Sequence, residues 1–230
     1  MTLPWSETFV SIQGEGPRAG RRCGFIRLGG CNLSCSWCDT PYTWDSRRYD
    51  LRRELKPQTV EQLIANLPVC DEVVLTGGEP LIHQESPGWA GLLRALSMRS
   101  IFIAVETNGT ISPNKVSQTF IGHYSISPKL ANAGVHRGNQ NPTLAEWPNT
   151  VKYHSACLKI VVNDADEVQQ AAELADAHGW PRWQTWVMPQ GTSTPALLAD
   201  FHDICVAAIE HGVNVSQRLH VLAFGNTKGT

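Results

Sequence analysis

Apolar positions along this chain follow two alternating rhythms. Short runs at Cys23–Leu28, Glu72–Leu75, Ile101–Val105, His123–Ile126, Leu158–Val162 and Gln184–Val187 hold β-branched or aromatic residues and are too short for helices, so each predicts a strand. Between them the spacing changes to three and four. Val60, Leu63, Ile64 and Leu67 share a helical face behind the capping-box pattern Thr59-Val60-Glu61-Gln62. Trp89, Leu92, Leu93 and Leu96 repeat that spacing. Asp164 with Glu167 repeats the capping-box pattern, with Val168, Ala171, Ala172 and Ala175 inward and Gly179 as the stop. Thr194 before Pro195 predicts a cap and a first-turn proline. It opens one helix lined by Leu197, Leu198, Phe201, Cys205 and Ala208 and ended by Gly212.

Strands alternating with helices predict a parallel sheet, and six strands fit a partial β/α barrel or a doubly wound sheet. In both, ligands gather beyond the carboxyl ends of the strands. The unusual motifs stand there: a cysteine cluster after Leu28, Gly77-Gly78-Glu79-Pro80 after Leu75, Glu106-Thr107-Asn108-Gly109 after Val105, Ser127-Pro128-Lys129 after Ile126, and Met188-Pro189-Gln190-Gly191 after Val187. Leu130–Ala156 is long, polar and aperiodic, which predicts a mobile flap or a functional loop.

Composition narrows the class. With 230 residues and 42% hydrophobic content the chain can build a sizeable core, and its length suits one domain of barrel type. A net charge of −2, from 19 basic and 21 acidic residues, argues against nucleic-acid binding. Arg47, Arg48, Arg52 and Arg53, followed by Glu54, are expected to be a solvated face. Purely apolar runs such as Ile101–Val105 are far too short to span a bilayer, so no membrane partner is expected. Met1–Val10 carries no export signal, which predicts a cytoplasmic, reducing setting where disulfides rarely persist. Seven cysteines then need another use. Cys23, Cys70, Cys157 and Cys205 have apolar neighbours and are expected to be small core residues.

Cys31, Cys35 and Cys38 stand together as CxxxCxxC. A structural zinc would need a fourth ligand, and His83 or His123 lacks zinc-finger spacing. A disulfide would leave an odd thiol. Three thiolates on a four-iron cluster leave one iron open to a small molecule.

CxxxCxxC followed by Gly77-Gly78-Glu79-Pro80 resembles the signature of the radical S-adenosylmethionine superfamily. That resemblance implies a 4Fe–4S cluster on Cys31, Cys35 and Cys38, S-adenosylmethionine on the open iron, and an external one-electron donor. A narrower resemblance covers nearly the whole chain. Glu7-Thr8-Phe9-Val10-Ser11-Ile12-Gln13-Gly14-Glu15-Gly16, Arg27 within FIRLGGCN, Asp39-Thr40, ETNG, SPK, Leu219-His220 and Gly225-Asn226-Thr227-Lys228-Gly229 are similar to the 7-carboxy-7-deazaguanine synthases.

This resemblance implies an incomplete parallel β/α barrel of about six strands. Residues 1–230 would form one domain, with an N-terminal substrate loop and a C-terminal tail closing the site. The implied enzyme is a carbon–nitrogen lyase. It turns 6-carboxy-5,6,7,8-tetrahydropterin into 7-carboxy-7-deazaguanine with loss of ammonia, for queuosine and related deazapurines, and it is a homodimer. Carried over residue by residue, Trp37, Cys38, Asp39, Gly78, Ser127, Pro128, Lys129, Met188, Pro189, Gln190 and Gly191 lie along S-adenosylmethionine. Ile12, Gln13, Gly14, Arg27, Thr76 and Thr230 hold the pterin, and Thr40 gives an oxygen to a magnesium ion. Glu15, Arg27 and His220 are the candidates for catalysis.

The chemistry suits these assignments: arginine is the bidentate partner for a carboxylate, and amide and acid groups match a guanine-like edge. Plainer roles stand beside them. Glu15 could pair with Arg27, His220 on a terminal strand could be a core histidine, and Thr40 could cap a turn. The rival functions are a glycyl-radical-activating enzyme, which needs a protein-docking surface, and a non-catalytic iron–sulfur or zinc protein.

Overall fold

The computed structural model describes residues 1–136, 144–151 and 155–230. Its strands are β1 (Thr2–Ile12), β2 (Arg22–Leu28), β3 (Lys56–Thr59), β4 (Glu72–Gly77), β5 (Phe102–Thr107), β6 (His123–Ile126), β7 (Ala156–Val162), β8 (Thr185–Pro189) and β9 (Asn214–Val215). They form one sheet of nine in the order β3-β1-β2-β4-β5-β6-β7-β8-β9. From β2 onward every neighbour is parallel, while β1 runs antiparallel to β2 and β3. The order has two ends, so this is an open, partial β/α barrel.

The helices are α1 (Leu51–Glu54), α2 (Val60–Ala65), α3 (Pro87–Ser97), α4 (Lys115–Phe120), α5 (Trp147–Thr150), α6 (Ala165–Ala177), α7 (Thr194–Leu198), α8 (Phe201–His211) and α9 (Leu219–Phe224). At α2 the capping box closes in both directions, Gln62 N to Thr59 Oγ1 at 3.3 Å and Thr59 N to Gln62 Oε1 at 2.8 Å. At α6 only half of it forms. Asp164 accepts from Glu167 N at 3.0 Å, but the Glu167 carboxylate turns to Asn163 N at 2.6 Å.

The strand pleat divides the sheet into two faces. Ile26, Leu28, Val73, Leu75, Ile103, Val105, Leu158, Ile160 and Val162 face the helices and join one continuous core with Trp89, Leu92, Leu93 and Val168. Each such burial is worth roughly 1.5–3 kcal/mol, so this layer carries the stability of the fold. The other face lines the barrel interior. Cys23, Phe25, Val74 and Ala104, with Phe9, make a small apolar floor. Below that floor Arg18 clasps Glu72 at 2.7 and 2.5 Å and lies 4.4 Å over the Phe102 ring. Toward the carboxyl ends the same interior face turns polar, with Arg27, Thr76, Glu106 and Lys159 on the cavity wall.

All six expected strands are present, with ends shifted by a residue or two. Several expectations are corrected. The N-terminal segment is strand as far as Ile12, and the loop begins only at Gln13; frequent polar residues between its apolar positions hide the strand. The single helix expected from Thr194 is two, broken at Ala199-Asp200, and its cap is Ser193, which accepts from Ala196 N at 3.4 Å. Beyond the break Ile204 and Ala207 turn inward, leaving Leu198 at 52% exposure and Cys205 only half-buried. His220 lies on α9 and not on a strand, because Val221 N and Leu222 N both bond locally to Arg218 O. Cys23, Cys70 and Cys157 are buried as expected, and all seven cysteines are free thiols.

Within Leu130–Ala156, Leu144 and Trp147 are fully buried; Trp147 meets Tyr124 edge-on at 5.4 Å and donates to Gly109 O at 3.1 Å. The described part of that stretch is therefore anchored in the core, and the rest of the flap or loop expected over Leu130–Ala156, at 137–143 and 152–154, lies outside the described residues. Arg47, Arg48, Arg52 and Arg53 are exposed. Among the described residues no helix is long and apolar enough to cross a membrane.

Candidate active site

The carboxyl ends of β2 and β4 approach so closely that only glycine fits. A Cβ on Gly77, whose φ is +147°, would lie 2.0 Å from Leu28 O, and one on Gly78 would lie 2.1 Å from Gly30 O. Glu79 follows, fully buried, and braces the strand ends. It accepts from Leu81 N at 2.9 Å, Thr107 Oγ1 at 2.8 Å and Asn108 N at 2.6 Å. Burial pushes its pKa up, against these donors.

That approach presents the loop Cys31–Cys38 to the interior. Leu33 N donates to Cys31 Sγ at 3.4 Å and the Trp44 indole to Cys38 Sγ at 3.3 Å. Sulfurs that accept such bonds suit the thiolates of an iron–sulfur cluster. Burial raises the Cys31 thiol to about 12 and also raises Cys35, so a bound metal must supply the compensating charge. Among the described residues no three His, Cys, Asp or Glu side chains gather tightly enough for a single metal ion. Three thiols on one loop match the three protein ligands of a four-iron cluster that keeps one iron open. The loop is held from outside by Ser36 N to Ala133 O at 3.0 Å, Ser34 N to His136 Nδ1 at 3.2 Å and Trp37 Nε1 to Asn132 Oδ1 at 3.3 Å.

Thiols and polar interior share one cavity of about 220 Å³. Its wall includes Cys31, Cys35, Trp37, Cys38, Asp39 and Thr40 from the cluster loop, and Gly78, Ser127, Lys129, Met188 and Gln190 from the strand ends. Opposite stand Ile12, Gln13, Gly14, Glu15, Arg27, Thr76, His220 and Thr230. Pro128, Pro189 and Gly191 are buried in the same turns, off the wall itself. Thr40 Oγ1 lies 3.8 Å from Cys38 Sγ.

Arg27 pairs with Glu7, not with Glu15. Its Nε donates to Glu7 Oε1 at 2.7 Å, and Tyr42 Oη donates to the same oxygen at 2.8 Å. The register explains this, since Glu7 lies directly opposite Arg27 on β1.

Glu15 instead joins an alternating chain of buried charges. Lys159 Nζ donates to Glu15 Oε2 at 2.5 Å and to Glu106 Oε1 at 3.0 Å. Arg218 Nε donates to Glu15 Oε1 at 2.9 Å, and its Nη2 to Asp39 Oδ2. The chain therefore runs Asp39, Arg218, Glu15, Lys159, Glu106. Burial opposes ionisation of Glu15, but Lys159 and then Arg218 hold its carboxyl well below the usual range. Burial likewise works against Lys159, and Glu106 and Glu15 hold its pKa above the ordinary value. Gln13 Nε2 and Thr76 Oγ1 donate to Glu106 at 3.3 and 2.9 Å. His220 Nε2 stands 4.0 Å from Glu15, and burial favours its neutral form.

Lys159, Arg218 and the inward role of Glu106 were not among the sequence candidates. A signal for Lys159 existed: one lysine inside the apolar run Leu158–Val162, at the alternate position. In a strand whose neighbours face helices, that position must face the interior.

A parallel β/α barrel with three loop cysteines and a glycine-floored strand end opposite a charged cavity defines a radical S-adenosylmethionine enzyme. Residues 25–189 match the Radical SAM superfamily. The 7-carboxy-7-deazaguanine synthase of Pyrobaculum aerophilum is 36% identical over 225 residues, covering 97% of this chain and 95% of its own. That of Rhodopirellula baltica is 36% identical over 241 residues, covering 98% and 88%. The crystal structure of QueE from Escherichia coli, at 23% identity, covers 96% of this chain and 95% of that one with a TM-score of 0.67, which shows a common fold. The chain belongs to the 7-carboxy-7-deazaguanine synthase family. As for the superfamily at large, that membership implies a 4Fe–4S cluster and S-adenosylmethionine.

Proposed function

We propose that the chain converts 6-carboxy-5,6,7,8-tetrahydropterin to 7-carboxy-7-deazaguanine with loss of ammonia. The observation that carries this reading is one cavity in which three thiols face Arg27, Gln13, Thr76 and Glu106. When bound on Cys31, Cys35 and Cys38, the cluster with S-adenosylmethionine would supply radical chemistry for hydrogen abstraction. The chain's own groups bind and orient. The Glu7 contact occupies only Nε of Arg27, so the terminal nitrogens suit a substrate carboxylate. Gln13 and Glu106 offer an amide and an acid to a guanine-like edge. The Glu15–Lys159–Glu106 chain fixes these groups before substrate arrives, so less order is lost on binding.

In this reading Thr40 gives its oxygen to a magnesium ion, supported by its place on the wall beside Cys38. Magnesium takes few protein oxygens, which suits a single threonine. The same proposal takes residues 1–230 as one domain, closed at the C-terminal end by Thr230 on the cavity wall. It makes the enzyme a cytoplasmic homodimer that does not bind nucleic acid and takes electrons from an external donor. Seven free thiols and a net charge of −2 support the compartment and the absence of a nucleic-acid partner. A glycyl-radical activator would need a surface for a protein substrate, whereas the charges here converge inside a small cavity.

Anaerobic incubation with reductant, S-adenosylmethionine, magnesium and the carboxypterin tests the reading. Deazaguanine product is expected. Cofactor cleavage without any pterin turnover would sink the assignment of substrate, and no cleavage at all would sink the radical chemistry.

A further inference from the structure

Arg218 joins the two halves of the cavity, and every nitrogen of its guanidinium is used. Nε donates to Glu15 Oε1 at 2.9 Å, Nη1 to Gly191 O at 2.6 Å, and Nη2 to Asp39 Oδ2. The three acceptors come from three different segments. Glu15 lies in the loop after β1, Asp39 follows the last cysteine of the cluster loop, and Gly191 lies just beyond β8. Arg218 is only 9% exposed and Glu15 is buried with it, so water screens that contact weakly, while the Asp39 end of the link is partly open to solvent. The planar fork holds its three acceptors in fixed relative directions. A shift of Asp39 or of the Gly191 turn must therefore be felt at Glu15. From Glu15 the effect passes to Lys159 and Glu106, which are bonded in series.

On the functional reading above, on which this inference rests, Asp39 and Gly191 lie on the S-adenosylmethionine side and Glu15 on the pterin side. We infer that Arg218 is a positioning residue that couples the two ligands, so that filling either half of the cavity raises affinity for the other. Coupling between sites is reciprocal, and its usual size is about 5–150-fold in affinity. A residue that merely held the fold would, when altered, weaken both ligands without changing how each depends on the other.

The test uses the cluster-loaded protein under anaerobic conditions without reductant. S-adenosylmethionine affinity is measured with and without saturating carboxypterin, in the wild type and in Arg218→Lys. Lysine keeps the charge but cannot hold three directions. The wild type is expected to bind S-adenosylmethionine at least about fivefold more tightly when the pterin is present. In the variant that ratio should fall to near one. A wild type with a ratio of one overturns the proposal, as does a variant that weakens both ligands at an unchanged ratio. If Arg218→Lys does not fold, Asp39→Ala removes the acceptor at the other end of the link and is judged by the same ratio. Failure of the wild type to bind either ligand would overturn the functional reading and the coupling with it. Binding of both without coupling overturns the coupling alone.

Discussion

Among the described residues Arg27 lies 5.7 Å over the Phe9 ring and donates one side-chain hydrogen bond, which leaves its fork room for a ligand. Its Nε is committed to Glu7, which Tyr42 also engages. Charge-assisted hydrogen bonds contribute about 1.5–3 kcal/mol each. Arg27→Lys, which loses the fork, should therefore weaken pterin binding at least about tenfold while S-adenosylmethionine binding stays nearly unchanged. Calorimetric titration of the two ligands checks this. Glu7→Gln serves as the control: if it costs the pterin as much, Arg27 acts through its brace and not on the substrate. Gly78 gives a second prediction at this scale. An added methyl would meet the backbone oxygen of Gly30 at 2.1 Å, and backbone cannot swing aside as a side chain can. Gly78→Ala should thus displace the cluster loop and lower iron bound per chain, read by iron assay after reconstitution. Full iron content would show that the loop tolerates the shift.

The strand β7 shows what one element can carry on two faces. Leu158, Ile160 and Val162 belong to the helix-side core, while Lys159 between them binds Glu15 and Glu106 inside the barrel. Removing one partner of a buried ion pair costs about 3–5 kcal/mol, because the other charges stay buried. Lys159→Met is expected to lose that much in urea unfolding. The neutral triple variant Lys159→Met, Glu15→Gln, Glu106→Gln should recover most of it. Equal losses in both would mean that the lysine stem, not its charge, supports the interior. The same two faces explain what could be read from sequence. The helix-side faces are continuously apolar, so all six strands and the α2, α3 and α6 patterns were legible. Cysteines, GGEP and SPK were legible because motif residues cluster at strand ends. Lys159 and Arg218 were not, since a lone cation reads as a surface residue until topology turns it inward. β1 was hidden by its polar positions, and the split of α7 from α8 comes at Asp200, whose φ of −111° and ψ of 12° leave the helix where the apolar spacing gives no sign of it.

Across the whole molecule the barrel interior is graded from an apolar floor to a charged mouth, and buried histidine sits near the floor. His123 is 7% exposed, with its Nε2 3.8 Å from Cys157 Sγ. Burial, and then the nearby Arg18, hold its pKa at about 4, against an ordinary value of 6.5. A base with a lowered folded pKa binds its proton more readily in the unfolded chain. Its contribution to stability is therefore complete above pH 6.5 and is lost as the pH falls toward 4. The gap between the two values corresponds to a loss of the order of 3 kcal/mol across that window. Glu15 enters only at the lower end of that window, where the unfolded chain takes up its proton near 4.5 while the folded carboxyl stays ionised. His83 and His220 are also held neutral by burial and share the wild-type slope, so only a comparison isolates His123. His123→Gln keeps a hydrogen-bonding side chain and removes the titration. Urea unfolding of both proteins at pH 7 and pH 4.5 should find a shallower acid loss in the variant, by roughly 2–3 kcal/mol. Parallel losses in the two proteins would place the acid sensitivity at the mouth of the barrel and not at its floor.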